Sequence, residues 1–466
     1  MAILTPMNAA ARRALTGWGR TNPGVSTVHE VADAPGIAAL VQGAGDRGVL
    51  ARGLGRSYGD AAQNSGGDVL RLPSTGDLVH LDTQAHTVTV GAGVSLDQLL
   101  RVIVPRGYFV PVTPGTRFVT IGGAIASDIH GKNHHVDGSF GQHVERITLL
   151  LADGSIVAVG PQQQPELFWA TVGGMGLTGV VLDATVRLLP VETSRISVDT
   201  SRIANLDDLM AAMADDDLYR YSVAWIDVMA KGAALGRSVL TRGDHAPLDQ
   251  LDQKAGMDPL AYGPSQLVDV PPVVPAPGFL NHLTVAAFNE LWFRKAPRKK
   301  VGELQSIASF FHPLDMVGSW NRLYGRQGMV QYQFVMPFGQ EDTMRAVIER
   351  LAASGHASFL AVLKRFGAAN PAPLSFPEPG WTLALDVPAG SRGLGELLHQ
   401  LDTMVLDAGG KLYFAKDAHT TADAIRRCYP RLDEWRAVRD AVDPKGRWQS
   451  DLSRRLGLTS HQEPTR

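Results

Sequence analysis

Two glycine-rich stretches carry the residue types and spacings that suit a flat, anionic ligand. The first is VLARGLGRSYGD at 49–60, an apolar run entering a loop with Gly53, Gly55 and Gly59. Glycines at that spacing let successive backbone N–H groups turn inward and form an anion-binding concavity. The second is TPGTRFVTIGGAIASDIHGKN at 113–133. Thr120 reads as a helix N-cap ahead of Gly122, Gly123, Ala124, Ala126 and Ser127. Unpaired N–H groups and the helix dipole at such a start favour an anion. Gly131 fits the stop of that helix, leaving His130 and Lys132 beside the site. Taken alone, this stretch reads equally well as a small-residue helix packed tightly on a sheet. Neither stretch is a dinucleotide fingerprint, which would place its third glycine at Tyr58, and no Gly-Lys-Ser/Thr follows to make a P-loop.

Together the two stretches resemble the FAD-binding module of the vanillyl-alcohol oxidase superfamily, where a glycine loop and a PG…TIGG helix start clamp the FAD pyrophosphate. VERITLLLADGSIV (144–157), WATVGGMGLTGVV (169–181), QYQFVMP, NPAPLSFPEPGW and LYFAKD…DPKGRWQSDLSRRL carry the resemblance along nearly the whole chain. They point to the branch that oxidises polyprenylphosphoryl ribose. The resemblance implies an α+β, two-domain, PCMH-type FAD-binding fold with an antiparallel-sheet substrate domain.

It also implies FAD contacts from Ala51, Arg52, Gly53, Leu54, Gly55, Arg56, Ser57, Tyr58, Gly59, Asp60 and Ala61 on one side. Facing them are Gly115, Thr120, Ile121, Gly122, Gly123, Ser127, Asp128, Ile129 and His130, with Gly179, Val181 and Tyr413 completing the set. Many relatives attach the flavin through a histidine where this loop has Arg56. A guanidinium stays protonated and is no nucleophile, so non-covalent FAD is expected.

Oxidation of a secondary alcohol requires hydride transfer to the flavin and a base for the hydroxyl proton. Lys416 and His130 are the candidates, with the choice between them open. Lys132 and Lys364 are expected at the substrate phosphate and Gln331 and Gln333 at its hydroxyls, with Thr382 and Ala384 lining the pocket. At the position of Ala384, relatives that serve as drug targets carry a cysteine, which captures nitroaromatic inhibitors once these are reduced to nitroso species.

The implied reaction converts the ribose 2′-hydroxyl to the 2′-keto form. An NADH-dependent partner reductase would complete an epimerisation that supplies arabinose for cell-wall arabinogalactan and lipoarabinomannan. An aldonolactone or alditol oxidase acting on a free sugar, and a flavin-fold binding protein without catalysis, remain open alternatives.

The elements that must hold these residues follow from pattern. Ser95 and Gln98 form a capping box ahead of LLRVIV. ITLLL and SIVAV flank a hairpin turn at Ala152-Asp153-Gly154. Strand-like YSVAWIDV, QYQFVMP, FLAVLKRFG and WTLALDVP alternate with helical LDDLMAAMA, EDTMRAVIERLAA and LGELLHQLDTMVL, as expected of an antiparallel sheet covered by helices. The expected domains are 1–194 for FAD, 195–410 for substrate and 411–466 returning to the FAD domain. A mobile segment is expected at 243–300.

In that segment Phe279, Leu280, Leu283, Phe288, Leu291, Trp292 and Phe293 sit beside Arg294, Lys295, Arg298, Lys299 and Lys300. An amphipathic stretch on an anionic membrane and a solvated surface helix both fit. A net charge of −2 gives no case for nucleic acid. The single cysteine, Cys428, excludes an intrachain disulfide framework. His130, His134, His135 and His143 carry no HExxH pattern, so no metal is expected. No signal peptide or transmembrane run is read. The resemblance implies peripheral attachment to the inner membrane on its periplasmic side, and the cytoplasmic side stays open.

Overall fold

The computed structural model describes residues 10–74, 79–214, 216–253, 255–264, 266–272, 280–356 and 358–459. Three principal sheets organise them. The first contains β1 (Ala11–Leu15), β2 (Gly24–Glu30), β3 (Val49–Ala51) and β4 (Asp68–Arg71) in the order β1-β2-β4-β3, parallel apart from β1. Helix α1 (Ala34–Gln42) packs Ile37 and Val41 with Val49, Leu70 and Trp448. β3 then runs directly into the glycine loop.

The second sheet is antiparallel: β5 (Val79–Asp82), β6 (Thr87–Gly91), β7 (Val144–Leu150), β8 (Ile156–Val159) and β9 (Val180–Arg187), in the order β5-β6-β9-β7-β8. The expected hairpin joins β7 to β8, with Gly154 at a φ of +86°. Helix α2 (Leu96–Ile103) carries the expected capping box at Ser95 and Gln98 and buries Leu96, Leu99, Leu100 and Ile103.

The third sheet has eight antiparallel strands: β10 (Arg195–Ile203), β11 (Tyr221–Ile226), β12 (Ser238–His245), β13 (Lys299–Ser306), β14 (Met329–Pro337), β15 (Ala361–Phe366), β16 (Gly380–Pro388) and β17 (Lys411–Leu412). Their order is β13-β10-β12-β11-β15-β16-β14-β17. Successive side chains of a strand point to opposite faces, so each strand divides its residues between two environments. Tyr332, Phe334, Met336, Leu363, Leu383 and Leu385 meet the helices that follow α3 (Ile121–Ala126), namely α4 (Leu206–Ala214), α6 (Glu341–Ser354) and α7 (Leu394–Asp407). Met344, Val347, Ile348 and Leu351 give α6 the apolar stripe at i, i+3, i+4 and i+7 that such packing needs.

The 243–300 stretch holds the end of β12, helix α5 (His282–Lys295) and the start of β13, not a patternless loop. Asn281 caps α5 by accepting from the Leu283 and Thr284 N–H groups, and the buried Asn289 amide donates to Asp227 at 2.9 Å. Phe279 lies outside the described residues. The C-terminal return also begins later than expected, because β17 still pairs with β14 and the chain leaves the sheet at Tyr413. No helix among the described residues is long and apolar enough to cross a membrane.

Candidate active site

The glycine loop threads between the α3 start and the C-terminal return. A Cβ on Gly53 would lie 2.3 Å from Thr120 Oγ1, and one on Gly59 would lie 1.9 Å from the Asp417 carbonyl oxygen. Only glycine permits both approaches. Tyr58 N–H donates to the Ala415 carbonyl at 2.8 Å, and Arg455 bonds both Asp60 and Asp417. The two stretches singled out in the sequence therefore meet at one place, with LYFAKD beside them.

Among the described residues, the N–H groups of Gly53, Leu54, Gly55, Arg56 and Ser57 find no hydrogen-bond partner. Five free amides in a row on a glycine loop suit a pyrophosphate. Arg56, stacked on Trp18 at 3.8 Å, adds a cation. Arg52 instead braces the loop, lying across Gly55 and donating to the Thr16 and Ala62 carbonyls. Gly115 borders open space, while Ala61 and Ile129 are buried and Val181 lies in β9.

The helix start departs from expectation. Thr120 is the N-cap, but Ile121 N–H donates to Val94 O, Gly122 N–H to Ala92 O and Gly123 N–H to Thr120 Oγ1. Those amides are occupied, so an anion falls to the loop. Gly122 serves close packing, since a Cβ there would lie 3.2 Å from that of Ala92. The helix also stops at Ser127, well before Gly131. Asp128 turns the chain at a φ of +38° because its fully buried carboxylate is tied to Gly141 N–H, Asn370 and Ser375. Gly131 is needed for close approach to the Thr113 carbonyl, 2.9 Å from its would-be Cβ.

Opposite the loop lies the second face of the third sheet. Register pairs Gln331 with Asp386, Gln333 and Val362 with Ala384, and Lys364 with Thr382, which places these side chains on one surface. Gln333 Nε2 meets His130 Nε2 at 3.0 Å and Thr382 Oγ1 at 3.3 Å. His130 is wedged among Phe366, Phe376 and Tyr413, and Tyr413 donates to the Ser127 carbonyl at 2.8 Å. Burial, then Lys364, His134 and Lys416, push the His130 imidazole well below its ordinary range, so it is neutral. With Nε2 accepting from Gln333, it is a poor site for another proton.

Lys416 Nζ lies 4.1 Å from the centroid of the Tyr58 ring. Burial pushes its ammonium down, while Asp386 pulls the other way. Burial and, behind it, Lys416 and Lys132 bring Lys364 down to about 7. Lys132 also falls to about 7 by burial, but its ammonium already donates to the Phe310 carbonyl at 2.5 Å. The other histidines do not converge: His134 accepts from Gly367 N–H, His135 meets the Tyr219 carbonyl and His143 that of Asp137.

The site contains one residue that motif reading passed over, Asp386. Its position two residues beyond Ala384 in an alternating strand puts it on the polar face, a signal present in the sequence.

Over residues 25–160 the chain matches the family described as FAD binding domain, and over 388–456 that described as D-arabinono-1,4-lactone oxidase. Fold and site together define an FAD-dependent oxidoreductase with a PCMH-type FAD-binding domain. The chain is 47% identical over 450 residues to decaprenylphosphoryl-β-D-ribose oxidase of Mycolicibacterium smegmatis, covering 95% of this chain and 97% of that one. An uncharacterised Streptomyces coelicolor protein is 41% identical over 375 residues, 78% of this chain and 100% of that protein. An alditol oxidase from a Streptomyces species is 31% identical over 179 residues, 38% of this chain and 42% of that enzyme. The chain belongs to the decaprenylphosphoryl-β-D-ribose oxidase family.

Proposed function

We propose that this enzyme oxidises the ribose 2′-hydroxyl of decaprenylphosphoryl-β-D-ribose to a ketone. The observation that carries the reading is the polar sheet face with Lys364, set opposite the glycine loop in a chain that matches the mycobacterial oxidase almost end to end. The loop amides, Arg56 and Tyr413 would hold the FAD, which when bound would supply a two-electron acceptor for hydride. Lys416 takes the hydroxyl proton, since His130 is neutral and already bonded through Nε2. Gln333 and Thr382 orient the sugar. Lys364 faces the lipid phosphate, whose charge offsets the mutual repulsion of the lysines. Lys132, held by Phe310, contributes field more than contact.

The 2′-ketone calls for an NADH-dependent reductase as partner, which places the enzyme in arabinan precursor synthesis. Helix α5 buries Val285 and Asn289 but exposes Leu283, Phe288, Leu291 and Trp292, so most of its large apolar side chains face outward. With Arg294, Lys295, Lys299 and Lys300 nearby, this surface suits peripheral contact with the inner membrane, on the periplasmic side that the family resemblance implies, with the cytoplasmic side left open. Leu291→Asp with Trp292→Asp is expected to reduce sedimentation with anionic vesicles, and unchanged sedimentation rejects the contact.

Anaerobic mixing with polyprenylphosphoryl ribose is expected to bleach the flavin. Bleaching by soluble lactones alone would transfer the assignment to a free-sugar oxidase, which the match at 388–456 keeps as the second reading.

A further inference from the structure

We propose that Asp386 is a positioning residue for the reaction: its buried carboxylate acts through its charge on Lys416, offsetting the charge that Lys416 gains on taking the hydroxyl proton. The proposal rests on the alcohol-oxidation reading above.

Asp386 is fully buried on the site-facing side of β16. Gln331, its register partner on β14, donates to Oδ1 at 2.5 Å. Oδ2 has no hydrogen-bond partner among the described residues, although a buried carboxylate has room for several. From the glycine loop Tyr58 faces this carboxylate, with Gln331 beside its hydroxyl. From the 320–324 turn comes Tyr324, whose buried hydroxyl is also unpartnered among the described residues. From the C-terminal return comes Lys416, whose ammonium makes no hydrogen bond among the described residues and rests over the Tyr58 ring, while its backbone N–H donates to the Tyr413 carbonyl. Of these neighbours Lys416 is the cation, and Lys416 is in turn faced by Lys364 from β15 and by the neutral His130.

A buried carboxylate and a half-buried amine, neither with a hydrogen-bonded charge partner, each disfavour their own charge. Set together, each restores the other's, and they titrate as a pair. Burial drives Asp386 up and Lys416 down, and each moves the other back toward its charged form. In turnover the substrate O–H bond breaks as an N–H bond forms on Lys416. The carbinol C–H leaves with its electron pair as hydride to the bound FAD, and the carbon becomes a carbonyl. The alcohol is oxidised by two electrons, the FAD is reduced by two, and the new ammonium lies opposite Asp386. Without the carboxylate, Lys416 would be neutral over a wider pH range but a weaker base.

The test is competitive acylation of Lys416 across pH in FAD-loaded protein, read by peptide mass spectrometry. Asp386→Asn keeps the shape and the Gln331 contact but removes the charge. The Lys416 midpoint is expected to fall by about one pH unit or more, with the acid limb of kcat/KM following it and KM held within about twofold. An unchanged midpoint leaves Asp386 a structural residue and overturns the proposal. A second variant covers misfolding of the first: Lys416→Met should leave Asp386 uncompensated and add a protonated-carboxyl infrared band at neutral pH. Absence of that band also overturns the proposal. Because the labelling midpoint does not depend on which alcohol reduces the flavin, it decides the pairing even where the ribose substrate fails to bleach it.

Discussion

The two faces of the third sheet come from the same strands and are almost equally dry. Phe334 and Leu383 on one face are fully buried, as are Thr382 and Asp386 on the other, with Gln333 only 4% exposed. The helix-covered face is mainly apolar, with the Tyr332 hydroxyl and Arg365 as polar exceptions, and follows the ordinary rule of burial. The face toward the glycine loop keeps a carboxylate, two glutamines and a threonine out of water and half-buries a lysine, at a desolvation cost that apolar side chains would avoid. That cost shows as displaced proton affinities, Lys364 at about 7 being one example. Perturbed groups facing a cleft mark where a protein spends stability on chemistry. Substitutions on the two faces should therefore fail in different ways.

The largest effect is expected from Lys416→Ala. Loss of a positioned base lowers single-turnover flavin reduction by ~10²–10⁴-fold, while FAD content and Tm remain near wild type, because Lys416 reaches no loop amide. Reduction at the wild-type rate would remove Lys416 as the base. Phe334→Ala on the opposite face should show the converse. Truncating a fully buried phenylalanine costs about 3–5 kcal/mol, seen as a lower denaturation midpoint, with kcat of the protein that remains folded little changed. A large drop in kcat at unchanged stability would mean that the faces are not separable.

Lys364→Met tests the cost of the polar face directly. Between about 7 and its ordinary 10.5, Lys364 is protonated in the unfolded chain and neutral in the folded one, so stability rises with pH across that window. Below about 7 both states carry the proton and the burial cost is fully present. Methionine removes that cost. The variant should gain Tm most below about pH 7, with the gain fading toward pH 10, and should raise KM for the phosphorylated substrate. A gain independent of pH would indicate better packing, not relief of a buried charge.

How much of this was legible in the sequence differs between the faces in the same way. Alternation of Tyr332, Phe334 and Met336 with Gln331, Gln333 and Val335, and the stripes of α6 and α7, specify a half-covered antiparallel sheet. The capping box at Ser95 and the hairpin at Gly154 are local, so they too could be read. What local reading missed depends on partners far along the chain. The α3 start looked like an open anion site because Val94 and Ala92, which occupy its amides, come from a loop some 27 to 30 positions earlier. The helix stop was placed at Gly131 because nothing near Asp128 reveals its ties to Asn370 and Ser375, over 240 positions away. Lys132 read as a free cation, and its Phe310 partner lies 178 positions away. Asp386 was legible as a residue on the right face, but its role depends on Lys416 arriving from the C-terminal return.

The smallest effect on turnover is expected at Ala384, where the polar face has a gap in its chemistry. Ala384 is half-buried and lies between Gln333 and Val362 in register, so its methyl group borders the site without bonding anything. The resemblance places a nucleophilic thiol here in relatives that capture reduced nitroaromatics. This chain has one cysteine, Cys428, buried away from the site with its thiol pushed up to about 12, chiefly by burial. A thiol held protonated attacks poorly. Wild-type enzyme turning over with a nitroaromatic is therefore expected to gain no mass. Ala384→Cys adds only a sulfur, leaves Lys416 and Gln333 in place, and should keep kcat within about twofold, since the proposed proton transfer does not use this position. It should also gain one adduct by intact mass when the thiol adds across the N=O bond of the nitroso product. An adduct on wild-type protein, or none on Ala384→Cys, would mean that β16 does not present this position to the flavin side, and the division of the sheet into two faces would fail at its centre.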